Sequence, residues 1–233
     1  MRIAVISDIH GNLQALTKSL SIIRNLRVDK IYCLGDIVGY GANPNECVEL
    51  VRQYADHTVL GNHDHAVLFP DYARYLPSDG KTVALWTAKI LSSENREYLM
   101  NLKYRVETDL CTLVHASPDK PEHWNYINSL EEAGNQFEHF DKTICFAGHT
   151  HIPFICRDDL QSFKFDKEGR YLINPGSIGQ PRDGRSQLSF GFLDTDAREY
   201  KNFRFSYDID GAAEAIRKSK LPKALGKRLY NGY

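Results

Sequence analysis

The chain lacks any pattern of paired cysteines. Its five, Cys33, Cys47, Cys111, Cys145 and Cys156, are odd in number and no two stand at Cys-x-x-Cys spacing, which argues against a disulfide framework and against a thiolate metal site. Most sit inside apolar runs, where a thiol behaves as a small hydrophobe, so they read as reduced and structural. Long apolar runs are missing too. The stretch after Met1-Arg2 is too short for a signal-peptide core, and no segment approaches the length of a membrane span. A cytoplasmic protein with no membrane partner is expected. No Pro/Gly/Ser linker, repeat or low-complexity tract divides the 233 residues, and a 42% hydrophobic content can fill a substantial core. Residues 1–233 are therefore expected to form one domain. Charge of one sign is also scarce, the net value being −1. The exception is the stretch 217–233, where Arg217, Lys218, Lys220, Lys223, Lys227 and Arg228 meet no acid, leaving −7 for the remainder. A protein that tracks a nucleic-acid backbone shows its basic face near the working groove. Confinement to the end of the chain reads instead as a solvated or partner-facing helix within a basic helical segment, about 209–233. Nucleic acid is not an expected partner, and the oligomeric state is left open.

What is present is a set of short apolar runs with a shared ending. Residues 3–7 lead to Asp8, 30–35 to Asp36, 58–61 to Asn62, 111–114 to His115 and 144–148 to His149. Runs of that length rich in Ile, Val and Cys read as buried strands, and in α/β sheets ligands gather beyond the strands' carboxyl ends. Two further donors follow closely, His10 in Asp-Ile-His and His151 in His-Thr-His. A single polar residue after a buried strand only marks where the chain meets water. Five with compatible chemistry point to one site.

The periodicity predicts a strand at 2–7, a helix at 12–26 and a strand at 30–34. A helix at 44–54 follows, with Pro44 in its first turn and Asn43 as its cap, and then a strand at 57–60. Helices are predicted at 80–91, 93–102 and about 130–139, the last behind a capping box of Ser129 and Glu132. From 104–114, 143–146 and 152–205 the pattern predicts mostly antiparallel strands, with turns at Asp166-Lys-Glu-Gly169 and Asp183-Gly184. A final helix runs over 209–218 before Pro222. The class is α/β, with a mixed sheet or two packed sheets.

Asp8, His10, Asp36, Asn62, His115, His149 and His151 offer carboxylate, amide and imidazole donors without a thiolate. Such a set suits Mn²⁺ first, with Fe, Zn²⁺ and Mg²⁺ as alternatives, and seven ligands exceed the needs of one tetrahedral ion. Two divalent ions sharing a ligand are expected. Such a pair ionises a bridging water near neutral pH and stabilises an in-line displacement, which makes phosphate esters the natural substrates.

The ordered set Asp8-x-His10, Gly35-Asp36, Gly61-Asn62-His63-Asp64, His115 and Gly148-His149-Thr150-His151 resembles the calcineurin-like metallophosphoesterase family, in its small bacterial and archaeal phosphodiesterase branch, over residues 1–195. The resemblance implies two packed mixed β-sheets flanked by helices, a four-layer αββα sandwich with the site at the strand ends. It puts Asp8, His10, Asp36 and His151 on one ion and Asp36, Asn62, His115 and His149 on the other. Asp36 is then the bridge. His63 resembles the family's residue facing the leaving-group oxygen and is assigned general acid. Asp64 either orients His63 or braces the loop. The protein-phosphatase branch has Gly-Asp-x-x-Asp-Arg-Gly where this chain has Gly35-Asp-Ile-Val-Gly-Tyr-Gly41, so its phosphate-clamping arginine is missing.

Arg182, in the loop that begins Asn174-Pro-Gly-Ser177, is the candidate to replace it, with Arg185 as a second. Tyr40 is placed to stack on a base or aryl leaving group. Asn12 either braces the site or caps the helix. His57, His65, His123 and His139 match no motif position. Trp86 and Trp124 read as packing residues, the latter in a loop able to cover the site. The expected reaction is metal-dependent hydrolysis of a small phosphodiester or nucleotide by in-line attack of a hydroxide bridging two metals. The alternatives are a phosphomonoesterase or protein phosphatase, a nuclease that uses the basic tail, and a non-catalytic scaffold of the same fold that binds protein partners.

Overall fold

The computed structural model describes residues 1–160, 165 and 169–233. Two five-stranded sheets pack face to face. The first runs β10-β9-β1-β2-β3 and the second β4-β5-β6-β8-β7. In the first, β1 (Arg2–Ile6), β2 (Lys30–Cys33) and β3 (His57–Thr58) are parallel, while β9 (Leu188–Asp194) and β10 (Glu199–Phe205) add antiparallel strands at the other edge. In the second, β4 (Arg105–Glu107) and β7 (Phe154–Arg157) are antiparallel edges around a parallel centre of β5 (Cys111–Val114), β6 (Ile144–Phe146) and β8 (Tyr171–Asn174). Strand pairing in the second half of the chain is thus mostly antiparallel, as expected, with β5, β6 and β8 as the parallel exception. The chain returns between β5 and β6 through helix α6 (Leu130–Gln136), a crossover that parallel pairing requires. The turn expected at 166–169 lies largely outside the described residues.

Alternation along each strand builds the layers, because successive side chains point to opposite faces. Ile3, Val5, Tyr32, Leu34, Leu113, Phe146, Tyr171 and Ile173 meet between the sheets. Ala4, Ile6 and Cys33 face the helices α1 (Leu13–Asn25), α2 (Pro44–Tyr54), α3 (Asn62–Leu68), α4 (Ser78–Ile90) and α5 (Ser93–Met100). Val114, Cys145 and Leu172 face α6 on the far side. The result is a four-layer αββα sandwich. All five cysteines are buried and unpaired.

Three local readings change. Helix α3 was not legible, because its first turn, Asn62-His63-Asp64-His65, is polar throughout and carries no apolar period. Asn43 stands at the start of α2, but its side chain accepts no backbone N–H; its amide donates to Glu46 instead. The basic tail does not simply stand in solvent. Helices α7 (Ile209–Lys218) and α8 (Lys223–Asn231) fold back on the protein, burying Ile216, Leu225 and Leu229 in a cluster with Tyr40 and Val83. Five of the six basic residues are exposed, and only Arg228 turns inward. Among the described residues, no helix is long and apolar enough to cross a membrane.

Candidate metal centre

The parallel pairs β1–β2 and β5–β6 each release their chains at the same end, so Asp8 and Asp36 emerge side by side, as do His115 and His149. Asn62 joins them as the first residue of α3. His10 and His151 follow their partners by two residues. All seven are buried, Asn62 the least so at 7% exposure.

What aims them inward is backbone that sequence patterns do not reveal. Asp8, His10, Asp36, His149 and His151 all have left-handed φ values, from 50° to 66°. Asp and His tolerate this region better than most residues, but such conformations cost of order 1–3 kcal/mol each and persist only where surroundings over-determine them. Here the main chain does so. Asp8 donates its N–H to the Gly35 carbonyl, His10 to that of Asp36 and Gly11 to that of Ile37, at 3.1, 2.9 and 2.8 Å. On the other sheet, Gly148 donates to the His115 carbonyl at 2.7 Å. A Cβ at Gly148 would lie 2.1 Å from Ser7 Oγ, and one at Gly61 2.1 Å from Asp36 Oδ1. No side chain fits at either point.

The loop after β8 locks the other side. Ser177 Oγ donates to the Asp8 carbonyl at 2.8 Å, and Asn174 Nδ2 donates to the Gly148 carbonyl at 2.7 Å and to Thr150 Oγ1 at 3.0 Å. The Asn-Pro-Gly-Ser segment thus braces the turns that carry Asp8, His149 and His151, a role not evident from its sequence.

The imidazoles are held in one tautomer. Nδ1 of His10, His115 and His151 lies 3.2, 2.8 and 2.5 Å from the carbonyls of Val38, Leu34 and Gln180. A carbonyl accepts but cannot donate, so each Nδ1 carries the proton and Nε2 presents its lone pair to the centre in the neutral ring. Consequently Nε2 of His10 and of His151 face each other at 3.1 Å with two lone pairs and no shared proton. Asp8 Oδ1, 3.3 Å from His151 Nε2, accepts no hydrogen bond, and His149 Nε2 likewise has no partner. His115 Nε2 lies 3.1 Å from Asn62 Oδ1 and 3.3 Å from Asp36 Oδ2; His10 Nε2 lies 3.6 Å from the same Asp36 oxygen. Donor groups Asp8–His10–His151 and Asp36–His115–His149 each converge within 4.8 Å. Buried, unpartnered lone pairs of this kind fit divalent cations.

Charge follows the same arrangement. Burial opposes ionisation of both aspartates, yet His151 beside Asp8 and His115 beside Asp36 hold both carboxyls well below the usual range. Burial lowers His115 as well, but Asp36 outweighs it and raises the ring to about 9. Burial pushes His149 down to about 3 and lowers His10 and His151, leaving three neutral imidazoles at pH 7.

His63 adjoins this centre. Its ring stands edge-on to His10 at 4.9 Å and 4.5 Å from the Tyr40 ring, and Nδ1 has no partner. Burial pushes it down to about 4. Asp64 does not orient it. Its carboxylate accepts from the backbone N–H of Val38 at 3.0 Å and of Gly61 at 3.1 Å, which makes it a loop brace. Burial and then the charge of Asp36 raise Asp64 to about 7. Asn12 is also a brace: Oδ1 caps α1 through the Ala15 N–H, and Nδ2 donates to the Gly179 carbonyl and to Tyr207. It does not line the cleft over the metal-ligand candidates.

That cleft holds about 320 Å³. Tyr40 and Arg182 line it, as expected, with Asp36, Asn62, His63, His149 and His151. Arg185 does not. Sequence reasoning missed Tyr72, Tyr75, Tyr126 and Arg228, and left His123 without a role, although all five line the same cleft. Tyr126 lies 4.0 Å from the His149 ring. Trp124 both packs and covers, being 6% exposed with its ring 5.9 Å from His115. Isolated aromatic residues in loops carry no periodic signal, so only the fold gathers them. Trp86 packs half-buried beside Val83 and Ile216. His57 and His139 are exposed, and His65 is half-buried among aromatic rings.

Strand-end carboxylates and imidazoles on two packed mixed sheets define a metal-dependent phosphoesterase architecture. The chain belongs to the calcineurin-like phosphoesterase superfamily, whose domain model matches residues 1–198. A metallophosphoesterase from Sphaerobacter thermophilus has the same fold at a TM-score of 0.88 and 40% identity, with 100% of this chain and 99% of that one covered. An uncharacterized protein of Methanocaldococcus jannaschii is 43% identical over 99% of this chain and 98% of its own length. The symmetrical bis(5'-nucleosyl)-tetraphosphatase of Actinobacillus succinogenes is 33% identical over 122 residues, 49% of this chain and 44% of its own length.

Proposed function

We propose that residues 1–233 form a single cytoplasmic domain that hydrolyses a small phosphodiester or nucleotide with the help of two divalent ions, Mn²⁺ foremost. Asp8, His10, Asp36 and His151 would hold one ion, Asp36, Asn62, His115 and His149 the other, with Asp36 shared. The observation that carries this is the convergence of the buried Nε2 atoms of His10, His151 and His149 and of Asp8 Oδ1 without protons between them. When bound, such ions supply an ionised water near neutral pH and positive charge for the phosphoryl oxygens.

The remaining roles fall to the chain itself. Arg182 reaches the centre closely enough to depress His10, His63 and His151, and it is suited to grip a non-bridging oxygen of the scissile group. His63, which lines the cleft, gives a proton or a hydrogen bond to the leaving oxygen. Tyr40 and Tyr126 offer faces on which a base or aryl group stacks. A cleft of about 320 Å³ suits a small ligand. The tetraphosphatase relatives, similar over half the chain, support a nucleotide over a phosphoprotein.

Initial rates on bis(p-nitrophenyl) phosphate and p-nitrophenyl phosphate, with Mn²⁺ and after chelation, test the reading. Faster turnover of the diester and loss on chelation are expected. Metal-independent hydrolysis, or none across a Mn²⁺ panel of nucleotides and aryl esters, contradicts it and favours a scaffold role.

A further inference from the structure

Helix α8 lies beyond the stretch matched by the family's domain model, yet it sends one residue to the cleft. Arg228 lines the same cavity as Asp36, Asn62 and His149. Its guanidinium carbon lies 5.8 Å from the centre of the Tyr40 ring, and so does that of Arg182. Among the described residues neither arginine is paired with an Asp or Glu side chain. Arg228 Nε donates to the Tyr233 carbonyl at 2.9 Å, and Arg182 donates to Gln180 Oε1 at 3.1 Å while its buried Nε has no acceptor. The other basic residues of the segment project into solvent, and Arg217 and Lys218 are paired with Glu214.

The two arginines are not equivalent. The backbone N–H of Arg182 donates to the carbonyl of His151, a candidate ligand, whereas Arg228 extends from α8 and bonds to Tyr233 near the end of the chain. Arg182 is thus the inner cation and Arg228 the outer one, on either side of a tyrosine face. Both are held in place. Gly184 donates to the Gly232 carbonyl at 3.0 Å, Arg182 N to the His151 carbonyl at 3.5 Å, and Asp183 is paired with Arg204. Leu225 and Leu229 anchor α8 beneath. A guanidinium paired with no Asp or Glu side chain, on the rim of an aromatic cleft, is suited to receive a phosphate oxygen.

We propose that Arg228 is a specificity-determining residue that binds a phosphate one position beyond the one being cleaved, so that the substrate is a nucleotide carrying more than one phosphate. The proposal rests on the phosphoesterase reading for the inner phosphate and assigns the outer one itself. The geometry arranges the recognition in order: Arg182 on the scissile group, Arg228 on the next phosphate, and the tyrosine walls on the base.

Isothermal titration in Mn²⁺ with AMP and with α,β-methylene-ADP, whose inter-phosphate bond resists hydrolysis, reads this without turnover. The wild type should bind the two-phosphate ligand at least tenfold more tightly, the scale of one charge-assisted hydrogen bond. Arg228→Ala should bring the ratio within twofold, Arg228→Lys should restore part of it, and the exposed neighbour change Lys227→Ala should leave it intact. A wild-type ratio below twofold, or an Arg228→Ala ratio equal to wild type, overturns the proposal; so does a loss shared equally by AMP, which would mark a merely structural role. A protein that shows the expected ratios but hydrolyses no ester keeps this subsite and loses the hydrolase reading. A hydrolase whose ratio ignores Arg228 does the reverse.

Discussion

Asp36 and Arg228 line one cleft, but the chain holds them by different means. The floor is made of strand ends, where left-handed turns are hydrogen-bonded across the sheet and imidazoles are fixed through backbone carbonyls. Moving any one donor disturbs a lattice of main-chain bonds. The outer wall is made of loops and of helix α8, and several of its side chains, Tyr75, Tyr126 and Arg228 among them, are partly or largely exposed. A rigid floor suits chemistry that demands placement within fractions of an ångström, and a looser wall suits the recognition of whatever the phosphate is attached to. Floor and wall should therefore respond differently to substitution.

The largest effect belongs to the floor. Asp36→Asn or His149→Ala should leave a folded protein, by circular dichroism, that turns over every ester on the order of 10³-fold more slowly in Mn²⁺; normal rates in both variants would dissolve the distinction between floor and wall. Next comes His63→Ala, expected to slow hydrolysis by ~10² and to do so more for poor leaving groups than for p-nitrophenol. Equal losses on both would remove His63 from the leaving-group side. Gly148→Ala adds a Cβ 2.1 Å from Ser7 Oγ and should destabilise by about 1–3 kcal/mol in urea unfolding, with weaker Mn²⁺ binding in proportion; unchanged stability would show the turn to be softer than described. Tyr126→Ala should raise KM about tenfold for substrates bearing a base and much less for inorganic or alkyl esters, since stacking on an aromatic face is worth roughly 1–3 kcal/mol per base. A uniform fall in kcat instead would tie Tyr126 to the placement of His149.

Much of the floor was legible because a buried strand announces itself by an apolar run, and the residue that ends it is then known to sit at the sheet's edge. Asp8, Asp36, Asn62, His115 and His149 were found in this way, and the structure brings all five together with His10 and His151. Helix α3 escaped because a polar first turn has no period, and the parallel centre of the second sheet escaped because runs of three or four residues do not reveal direction. Asp64 was read as either orienting His63 or bracing the loop, and its hydrogen bonds go to the loop, because a residue at the third position of a helix readily reaches the backbone N–H groups before it. The wall was barely readable. Tyr72, Tyr75, Tyr126 and Arg228 are far apart in the chain and meet only through tertiary packing. Arg228 in particular was one of six bases in a run read as a solvated or partner-facing helix, and only the burial of Leu225 and Leu229 turns it inward.

Crystals grown with Mn²⁺ and measured at wavelengths on either side of the manganese edge test the central claim most directly. The account requires two anomalous peaks in the floor, one among Asp8, His10, Asp36 and His151 and the other among Asp36, Asn62, His115 and His149. A single peak, or peaks only at surface carboxylates with the His10 and His151 rings turned away from each other, would contradict it.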